Sequence, residues 1–150
     1  GRIDEQEYLR RFFADSTPVD GDALRACLAE AYRWVPGMDE LLPQIAARGL
    51  PIHALSNYPV WYRILDERLD LSRWLEWTFV SCDTGLRKPD PRSYDQVPER
   101  LGIEAGEVLF VDDRQTNVDA ALSRGLDAPL FTHVPCLAEA LPVRGLLPPR

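Results

Sequence analysis

Three short polar runs hold the residues whose types and spacing could do chemistry. They read LSN at residues 55–57, RKPDP at 87–91 and FVDDRQTN at 110–117. The runs supply a hydroxyl from Ser56, an ammonium from Lys88 and adjacent carboxylates from Asp112 and Asp113. Adjacent carboxylates repel each other unless a positive group joins them, and Mg²⁺ accepts one or two carboxylates together with substrate oxygens. The runs therefore predict a site that holds a phosphate group beside a divalent metal ion.

The paired carboxylates also have a plain structural interpretation. Asp112 could cap a helix and Asp113 could be its solvated neighbour, because capping is a common use of aspartate. The dipeptide alone favours that interpretation over a metal site. Asn117 lies four residues beyond Asp113, which is about one helical turn, so it could support a metal ligand or cap the helix.

Ser56, Asn57 and Lys88 are open to two interpretations in the same way. A hydroxyl with backbone donors after an apolar strand can bind a phosphoryl oxygen, yet Ser and Asn also favour turns. A lysine beside carboxylates balances their charge and binds phosphate, although most lysines are simply exposed. Pro89 and Pro91 fix the backbone around Lys88, which argues against an unconstrained surface loop.

Helical and strand-like stretches alternate along the chain. The pattern predicts helices at residues 1–15, 20–34, 38–48, 60–69, 72–77, 91–101, 116–124 and 137–141, and strands at 51–55, 78–81, 108–111 and 129–132. This alternation predicts an α/β fold with a Rossmann-like parallel sheet flanked by helices. The strand at 108–111 is apolar throughout and is expected to be buried on both faces. Ligands bind at the carboxyl ends of strands in such sheets, so Ser56 and the two aspartates are expected to share one rim.

The composition narrows the classes of function. The chain has 150 residues, a formal net charge of −7 and a pI of about 4.8, which suit one domain and argue against a basic nucleic-acid surface. No apolar run approaches the roughly 20 residues that a membrane helix needs. Three scattered cysteines indicate free thiols, as expected of a soluble intracellular protein in a reducing compartment.

The histidines and tryptophans are predicted to be structural. His53 and His133 are assigned to predicted strands, His133 at the residue directly after 129–132, and they have no acidic or cysteine neighbours at ligand spacing. Packed side chains are therefore favoured over a metal or catalytic pair. Trp61, Trp74 and Trp77 are predicted to fill the core. An aromatic platform for a substrate is the alternative.

The order of the three polar runs resembles motifs II, III and IV of the haloacid dehalogenase superfamily of hydrolases. Each motif is weak alone, and in this order they are specific. The resemblance implies an α/β core at residues 36–141, preceded at 1–35 by the C-terminal part of a helical cap and followed at 142–150 by a proline-rich tail expected to be loose. HALSNYPVWY at 53–62 and WTF at 77–79 are further similar to the plastid flavin mononucleotide phosphatases of plants.

The resemblance implies a Mg²⁺-dependent phosphatase that forms a phosphoaspartyl intermediate. Ser56 and Asn57 would bind the phosphoryl group, and Lys88 would steady the nucleophile and the transferring phosphate. Asp113 would ligate Mg²⁺, and Asp112 would assist directly or through water. The implied substrate is a small phosphorylated metabolite such as flavin mononucleotide, and the narrower likeness makes a plastid location an option.

One element of the family pattern is missing from the sequence. Motif I is an apolar strand followed by Asp-x-Asp; its first aspartate is the nucleophile, and its strand is the centre of the sheet. Asp20 and Asp22 match the letters but no apolar strand precedes them, so no nucleophile is expected in this chain. Three explanations remain: a fragment of a longer protein, a second chain that completes the sheet, or a degenerate relative without catalysis. The fragment is favoured because the sequence starts inside a cap-like pattern, and the 150 residues alone are expected to be inactive.

Two functions therefore compete. The first is a phosphomonoesterase, and the second is a non-catalytic binding or scaffold subunit that keeps the fold. Retention of Ser56, Lys88 and the two aspartates favours the first, because a scaffold has no physical need for that combination. A dehalogenase is a weaker third option, since metal-free dehalogenases do not need acidic residues at both 112 and 113.

Overall fold

The computed structural model describes residues 4–15 and 17–148. The helices are α1 (Glu5–Arg10), α2 (Gly21–Ala31), α3 (Met38–Ala46), α4 (Tyr62–Leu69), α5 (Ser81–Thr84), α6 (Arg92–Leu101), α7 (Gln115–Ser123) and α8 (Val134–Val143). The strands are β1 (His53–Ser56) and β2 (Glu76–Val80), and single 3-10 turns lie at Leu71–Arg73 and Ala105–Glu107. The start of the first predicted helix, the predicted break at Ser16 and the end of the predicted tail lie outside the described residues. No helix in the described part is long and apolar enough to cross a membrane.

The chain forms two compact units. The first consists of Gly1–Trp34 and His53–Gly85, and the second of Val35–Ile52 and Leu86–Arg150. The first unit therefore holds α1, α2, α4, α5 and both strands, and the second holds α3, α6, α7 and α8. Each unit is made from two separate stretches of sequence.

The first unit is built around the parallel pair β1 and β2. Leu55 lies opposite Phe79, and Ser56 lies opposite Val80. Phe79 and Val80 are 1% and 0% exposed, because apolar and aromatic side chains pack well on a pleated surface. Trp61, just before α4, is buried as predicted, whereas the other two predicted core tryptophans are half-buried. This pairing sets Ser56 at the carboxyl end of β1.

Helix α2 begins where the sequence predicts. The Asp20 carboxylate accepts hydrogen bonds from the backbone N–H groups of Asp22 and Ala23 at 2.9 and 3.1 Å. Asp20 is therefore the N-cap of α2. The Asp20 carboxylate is thus bonded to backbone N–H groups at the start of a helix. No strand among the described residues precedes Asp20.

Helix α1 is shorter than predicted. It ends at Arg10 instead of continuing to Asp15. The sequence spaces Phe12 and Phe13 from Tyr8 and Leu9 as on one face of a helix, yet their side chains are 40% and 48% exposed. Their rings meet each other edge to face at 5.2 Å, and Phe12 meets Tyr8 at 6.0 Å. The aromatic side chains gather at a turn, so their helical spacing did not produce a longer helix.

The predicted helix at residues 72–77 is wrong. A 3-10 turn at Leu71–Arg73 leads directly into β2, which begins at Glu76. The Asp66 carboxylate holds this turn, accepting hydrogen bonds from the Ser72 N–H at 2.6 Å and the Ser72 hydroxyl at 2.5 Å. Residues 76 and 77, which were predicted to be helical, instead belong to the strand that pairs with β1. Their apolar pattern alone does not distinguish a strand from a helix.

In the second unit, residues 108–112 run parallel to residues 127–131. The Phe110 N–H donates to the Asp127 carbonyl and the Phe131 N–H to the Asp112 carbonyl, each at 2.8 Å. The pairing consists of isolated bridges, not the continuous strands that were predicted. Phe110 and Asp112 are buried, whereas Val111 between them is 37% exposed. The prediction of burial on both faces is therefore wrong at Val111, whereas Leu109 on the same face packs against the core.

Helices α3 and α8 enclose the core of the second unit. The buried cluster consists of Leu41, Val134, Ala138 and Leu141. Leu146 and Leu147 pack against this cluster, so the tail that was expected to be loose is held at these two positions by burial of apolar side chains.

The two histidines have different structural roles. In β1, His53 Nδ1 lies 2.8 Å from Thr78 Oγ1, so it is a packed strand residue as predicted. His133 is instead the N-cap of α8, and its Nδ1 accepts a hydrogen bond from the Cys136 N–H at 3.0 Å. The strand assignment of His133 is wrong because the capping bond starts a helix there, three residues earlier than the predicted one.

Candidate active site

Lys88 and Asp112 form a buried ion pair in the second unit. Lys88 Nζ lies 2.6 Å from Asp112 Oδ2, and the two side chains are 11% and 7% exposed. A turn holds Lys88 in place: the Arg87 carbonyl accepts a hydrogen bond from the Asp90 N–H at 2.9 Å, and the peptide bond between Lys88 and Pro89 is cis. Helix α6 then begins at Arg92. The run around Lys88 is therefore a fixed turn that presents the ammonium group to Asp112.

The other carboxylate oxygen of Asp112 is bonded to the start of α7. Asp112 Oδ1 accepts hydrogen bonds from Asn117 Nδ2 and from the Arg114 N–H, both at 2.9 Å. Asn117 is only 4% exposed. The N-cap of α7 is Arg114 and not Asp112, so the interpretation of Asp112 as the helix cap is wrong, although its carboxylate holds the backbone of the N-cap residue. A role of Asp112 in a metal site stays a prediction.

These contacts favour the ionised form of Asp112. Burial, the largest influence, raises the pKa of Asp112, but the hydrogen bonds from Lys88, Asn117 and the Arg114 backbone outweigh it. The pKa therefore lies below its usual value, because hydrogen bonding and an adjacent positive charge stabilise the carboxylate. Burial first, and the charge of Asp112 second, raise the pKa of Tyr94 to about 12. At neutral pH Asp112 is thus a carboxylate and Tyr94 a neutral phenol.

Two aromatic residues near Lys88 were not singled out in the sequence. Lys88 Nζ lies over the ring of Phe110, 5.3 Å from its centroid. Tyr94 meets Phe110 at 5.4 Å with an angle of 84° between the rings. The period of a strand could have indicated Phe110, because residues two apart share a face and Asp112 was already a candidate. Tyr94 lies on α6, and no local signal in the sequence connects it to this cluster.

Asp113 has the opposite environment to Asp112. It is exposed, and its carboxylate forms no ion pair or side-chain hydrogen bond with the residues that the structure describes. Among residues 4–15 and 17–148, no three His, Cys, Asp or Glu side chains form a group that could hold a metal. The hard oxygen donors of Asp113 and Asp112 nevertheless fit part of a Mg²⁺ shell, because this ion takes one or two protein carboxylates and completes its shell with water and phosphate oxygens.

Ser56 and Asn57 lie in the first unit, at the end of β1. Ser56 is half-buried, and its hydroxyl makes no hydrogen bond to another described residue. Tyr58, two residues after Ser56, makes two hydrogen bonds. Its carbonyl accepts from the Ser81 hydroxyl at 3.4 Å, and its hydroxyl oxygen lies 2.5 Å from that of Tyr32. Because the cluster around Asp112 belongs to the other compact unit, the meeting of Ser56 with that cluster in one site stays a prediction.

The first unit has the Ser56 hydroxyl at the end of a parallel strand, and the second has the Asp112 carboxylate, paired with Lys88, at the end of a parallel segment. Parallel strand segments among helices define an α/β protein. The chain belongs to the haloacid dehalogenase-like hydrolases, and the model of that family matches residues 2–125. The predicted superfamily and the predicted α/β fold class are confirmed.

Two curated relatives place the chain more finely within the family. It is 43% identical over 146 residues to flavin mononucleotide hydrolase 1 of Arabidopsis thaliana, named as a chloroplast protein, covering 97% of this chain and 60% of the relative. It is 29% identical over 107 residues to phosphoglycolate phosphatase of Escherichia coli K12, covering 71% of this chain and 42% of that protein. The chain therefore spans about half the length of these two relatives.

The solved structures agree on the fold. A haloacid dehalogenase family enzyme from Bacteroides thetaiotaomicron, in complex with magnesium and inorganic phosphate, superimposes with a TM-score of 0.69 at 18% identity, covering 89% of this chain and 71% of that one. At this identity the likeness concerns the fold alone. The magnesium and phosphate are ligands of that enzyme.

Proposed function

We propose that the protein containing this chain is a Mg²⁺-dependent phosphomonoesterase. The observation that carries the proposal is the buried ion pair of Lys88 and Asp112, which lies directly before the exposed carboxylate of Asp113. Burying two charges is costly unless they are paired. The alternative of a non-catalytic subunit gains no support from the two curated relatives, since both carry hydrolase or phosphatase names.

Each candidate residue has a defined task in this proposal. Asp113 would hold Mg²⁺ with help from Asp112, and the bound ion would stabilise negative charge on the phosphoryl oxygens. Lys88 supplies a compact positive charge to the transferring phosphoryl group, and its ion pair with Asp112 sets the position of that charge. Ser56 donates its hydroxyl hydrogen to a phosphoryl oxygen, and Asn57 provides a further donor beside it.

The attacking carboxylate of the proposed phosphoaspartyl mechanism is assigned to a segment outside these residues. Asp20, which has the letters of the motif, caps α2 and follows no strand in the described residues. The same missing segment, or a second chain, would complete the sheet. The 150 residues alone are therefore proposed to be inactive.

The proposed substrate is a small phosphate monoester, with flavin mononucleotide as the first compound to test. The 43% identity to a flavin mononucleotide hydrolase supports this choice. The chloroplast designation of that relative likewise supports a plastid location for the protein that contains this chain.

The test uses the full-length gene product with Mg²⁺, assayed on flavin mononucleotide, 2-phosphoglycolate and a sugar phosphate. Asp113→Asn should reduce turnover at least about 10²–10³-fold, the typical cost of removing one electrostatic stabiliser. Asp119→Asn, which removes the same charge from an exposed position on α7, serves as the control and should keep its turnover. Undiminished turnover in Asp113→Asn would refute the assigned metal site, and wild-type protein that hydrolyses none of these esters would refute the proposed activity.

A further inference from the structure

The ammonium group of Lys88 lies close to a carboxylate and to an aromatic ring. Asp112 Oδ2 lies 2.6 Å from Lys88 Nζ, and the ring centroid of Phe110 lies 5.3 Å from the same atom, with the nitrogen over the ring. The face of an aromatic ring attracts a cation within about 6 Å, and the attraction is stronger where water is excluded. Lys88 is 11% exposed and Phe110 is 6% exposed. The contact is therefore largely desolvated.

Phe110 is itself held in orientation by a fully buried ring. Tyr94 is 0% exposed and meets Phe110 at a centroid distance of 5.4 Å with the rings 84° apart. Edge-to-face contacts of this kind are favourable in their own right. The Phe110 ring cannot turn its face away from Lys88 without displacing Tyr94, which has no solvent-exposed side toward which to move.

We propose that Phe110, braced by Tyr94, is a positioning residue for Lys88. This inference rests on the role given to Lys88 in the proposed function. A lysine side chain is long and flexible. The ion pair with Asp112 sets the distance of the ammonium group from one carboxylate oxygen, and the ring face of Phe110 restricts the direction in which that group lies.

The placement of Phe110 explains how one short segment can organise the charged cluster. Phe110 and Asp112 are two residues apart and both buried, while Val111 between them is exposed, so the ring and the carboxylate lie on the same side of the segment. Lys88 is thus contacted by an aromatic face and a carboxylate from one rigid stretch of backbone. A leucine at position 110 would keep apolar volume there and lose the attraction for the cation.

The experiment compares Phe110→Leu, Phe131→Leu and Lys88→Ala in the full-length protein, with flavin mononucleotide and p-nitrophenyl phosphate as substrates. Phe110→Leu should lower kcat by about 5- to 30-fold, the range that corresponds to loss of a partly desolvated cation–π contact, with KM changed by less than about twofold. Phe131→Leu makes the same chemical change in the same unit, in a side chain that packs against the α3–α8 cluster. It should leave kcat within about twofold of wild type. Phe110→Tyr keeps the ring face and should recover most of the lost kcat.

The outcomes separate this inference from the function on which it rests. Loss of kcat in Lys88→Ala, together with equal kcat in Phe110→Leu and Phe131→Leu, would overturn the positioning role and leave the proposed function intact. Full turnover in Lys88→Ala would overturn the role given to Lys88 and with it this inference, whereas wild-type protein without turnover would overturn the proposed function. Should Phe110→Leu fail to fold, Phe110→Met, whose flexible side chain fills irregular space, decides the question by the same comparison.

Discussion

Replacing Lys88 by methionine should destabilise the protein far more than a matched replacement at the surface. The change removes the ammonium group and keeps most of the apolar stem, so Asp112 remains charged at a site where its side chain is 7% exposed. Breaking a buried pair by removing one partner costs about 3–5 kcal/mol. Asp112 keeps its hydrogen bonds from Asn117 and the Arg114 N–H, both at 2.9 Å. These bonds bring the expected loss to the bottom of that range or slightly below it, at about 2–3 kcal/mol.

The chain supplies a control of nearly equal geometry. Arg92 Nη2 lies 2.7 Å from Asp90 Oδ2, but these side chains are 70% and 34% exposed. Exposed pairs contribute about 0–1 kcal/mol because water screens them. Arg92→Met should therefore change stability by less than about 1 kcal/mol, although the two ion pairs differ in length by only 0.1 Å, from 2.6 to 2.7 Å.

The assay is urea denaturation of the full-length protein followed by far-ultraviolet circular dichroism. Lys88→Met should shift the midpoint strongly, and adding Asp112→Asn, which removes the unpaired charge and keeps an acceptor oxygen, should restore part of the loss. Equal midpoints for Lys88→Met and Arg92→Met would refute the argument that burial, rather than distance, sets the strength of the pair.

Three further outcomes are expected. Asp20→Ala should cost about 1 kcal/mol in urea denaturation, because it removes the N-cap of α2, and a loss below about 0.3 kcal/mol would contradict that role. Tyr94→Phe should be neutral or slightly stabilising in the same assay, since the buried Tyr94 hydroxyl has no partner in the described part of the chain and removing it leaves no unsatisfied group. The hydrogen bond from Arg144 lowers the pKa of Asp127, so this pair stabilises the fold above the unfolded-state pKa of about 3.9 and loses that contribution as the pH falls through the lower folded-state value. Asp127→Asn should accordingly flatten the dependence of unfolding free energy on pH between about pH 5 and 3. An unchanged pH profile would show that the Arg144–Asp127 pair does not contribute to this dependence.

The sequence predicted the order of the elements well and the edges of the strands poorly. Helix α6 was predicted within one residue, because Pro91 before it and Gly102 after it are strong local signals. The segment at 108–111 carried only apolar residues, and an apolar run does not show which neighbouring backbone will cover each face. Its exposed Val111 therefore depends on tertiary structure and not on any local pattern.

In the candidate site, likewise, the sequence indicated the residues of distinctive chemical type and missed those whose role depends on tertiary contacts. Lys88, Asp112 and Asn117 were chosen for their chemical type, and the structure brings all three together. Phe110 and Tyr94 were passed over, because an aromatic residue in an apolar stretch looks like ordinary core. Phe110 lies 22 positions from Lys88 and 16 positions from Tyr94 in the sequence. These contacts form only when the chain folds, and the pattern of a single sequence does not contain that information.

The division of the chain into two compact units has a consequence for optical measurements. All four tryptophans, Trp34, Trp61, Trp74 and Trp77, belong to the first unit, and Tyr94 is the single tyrosine of the second. Tryptophan emission from this chain therefore reports the first unit, whereas far-ultraviolet circular dichroism reports helices in both. The chain passes from one unit to the other after residues 34, 52 and 85, so no single cut in the sequence separates them. A difference between the two midpoints would then measure directly how independently these interleaved units lose their structure.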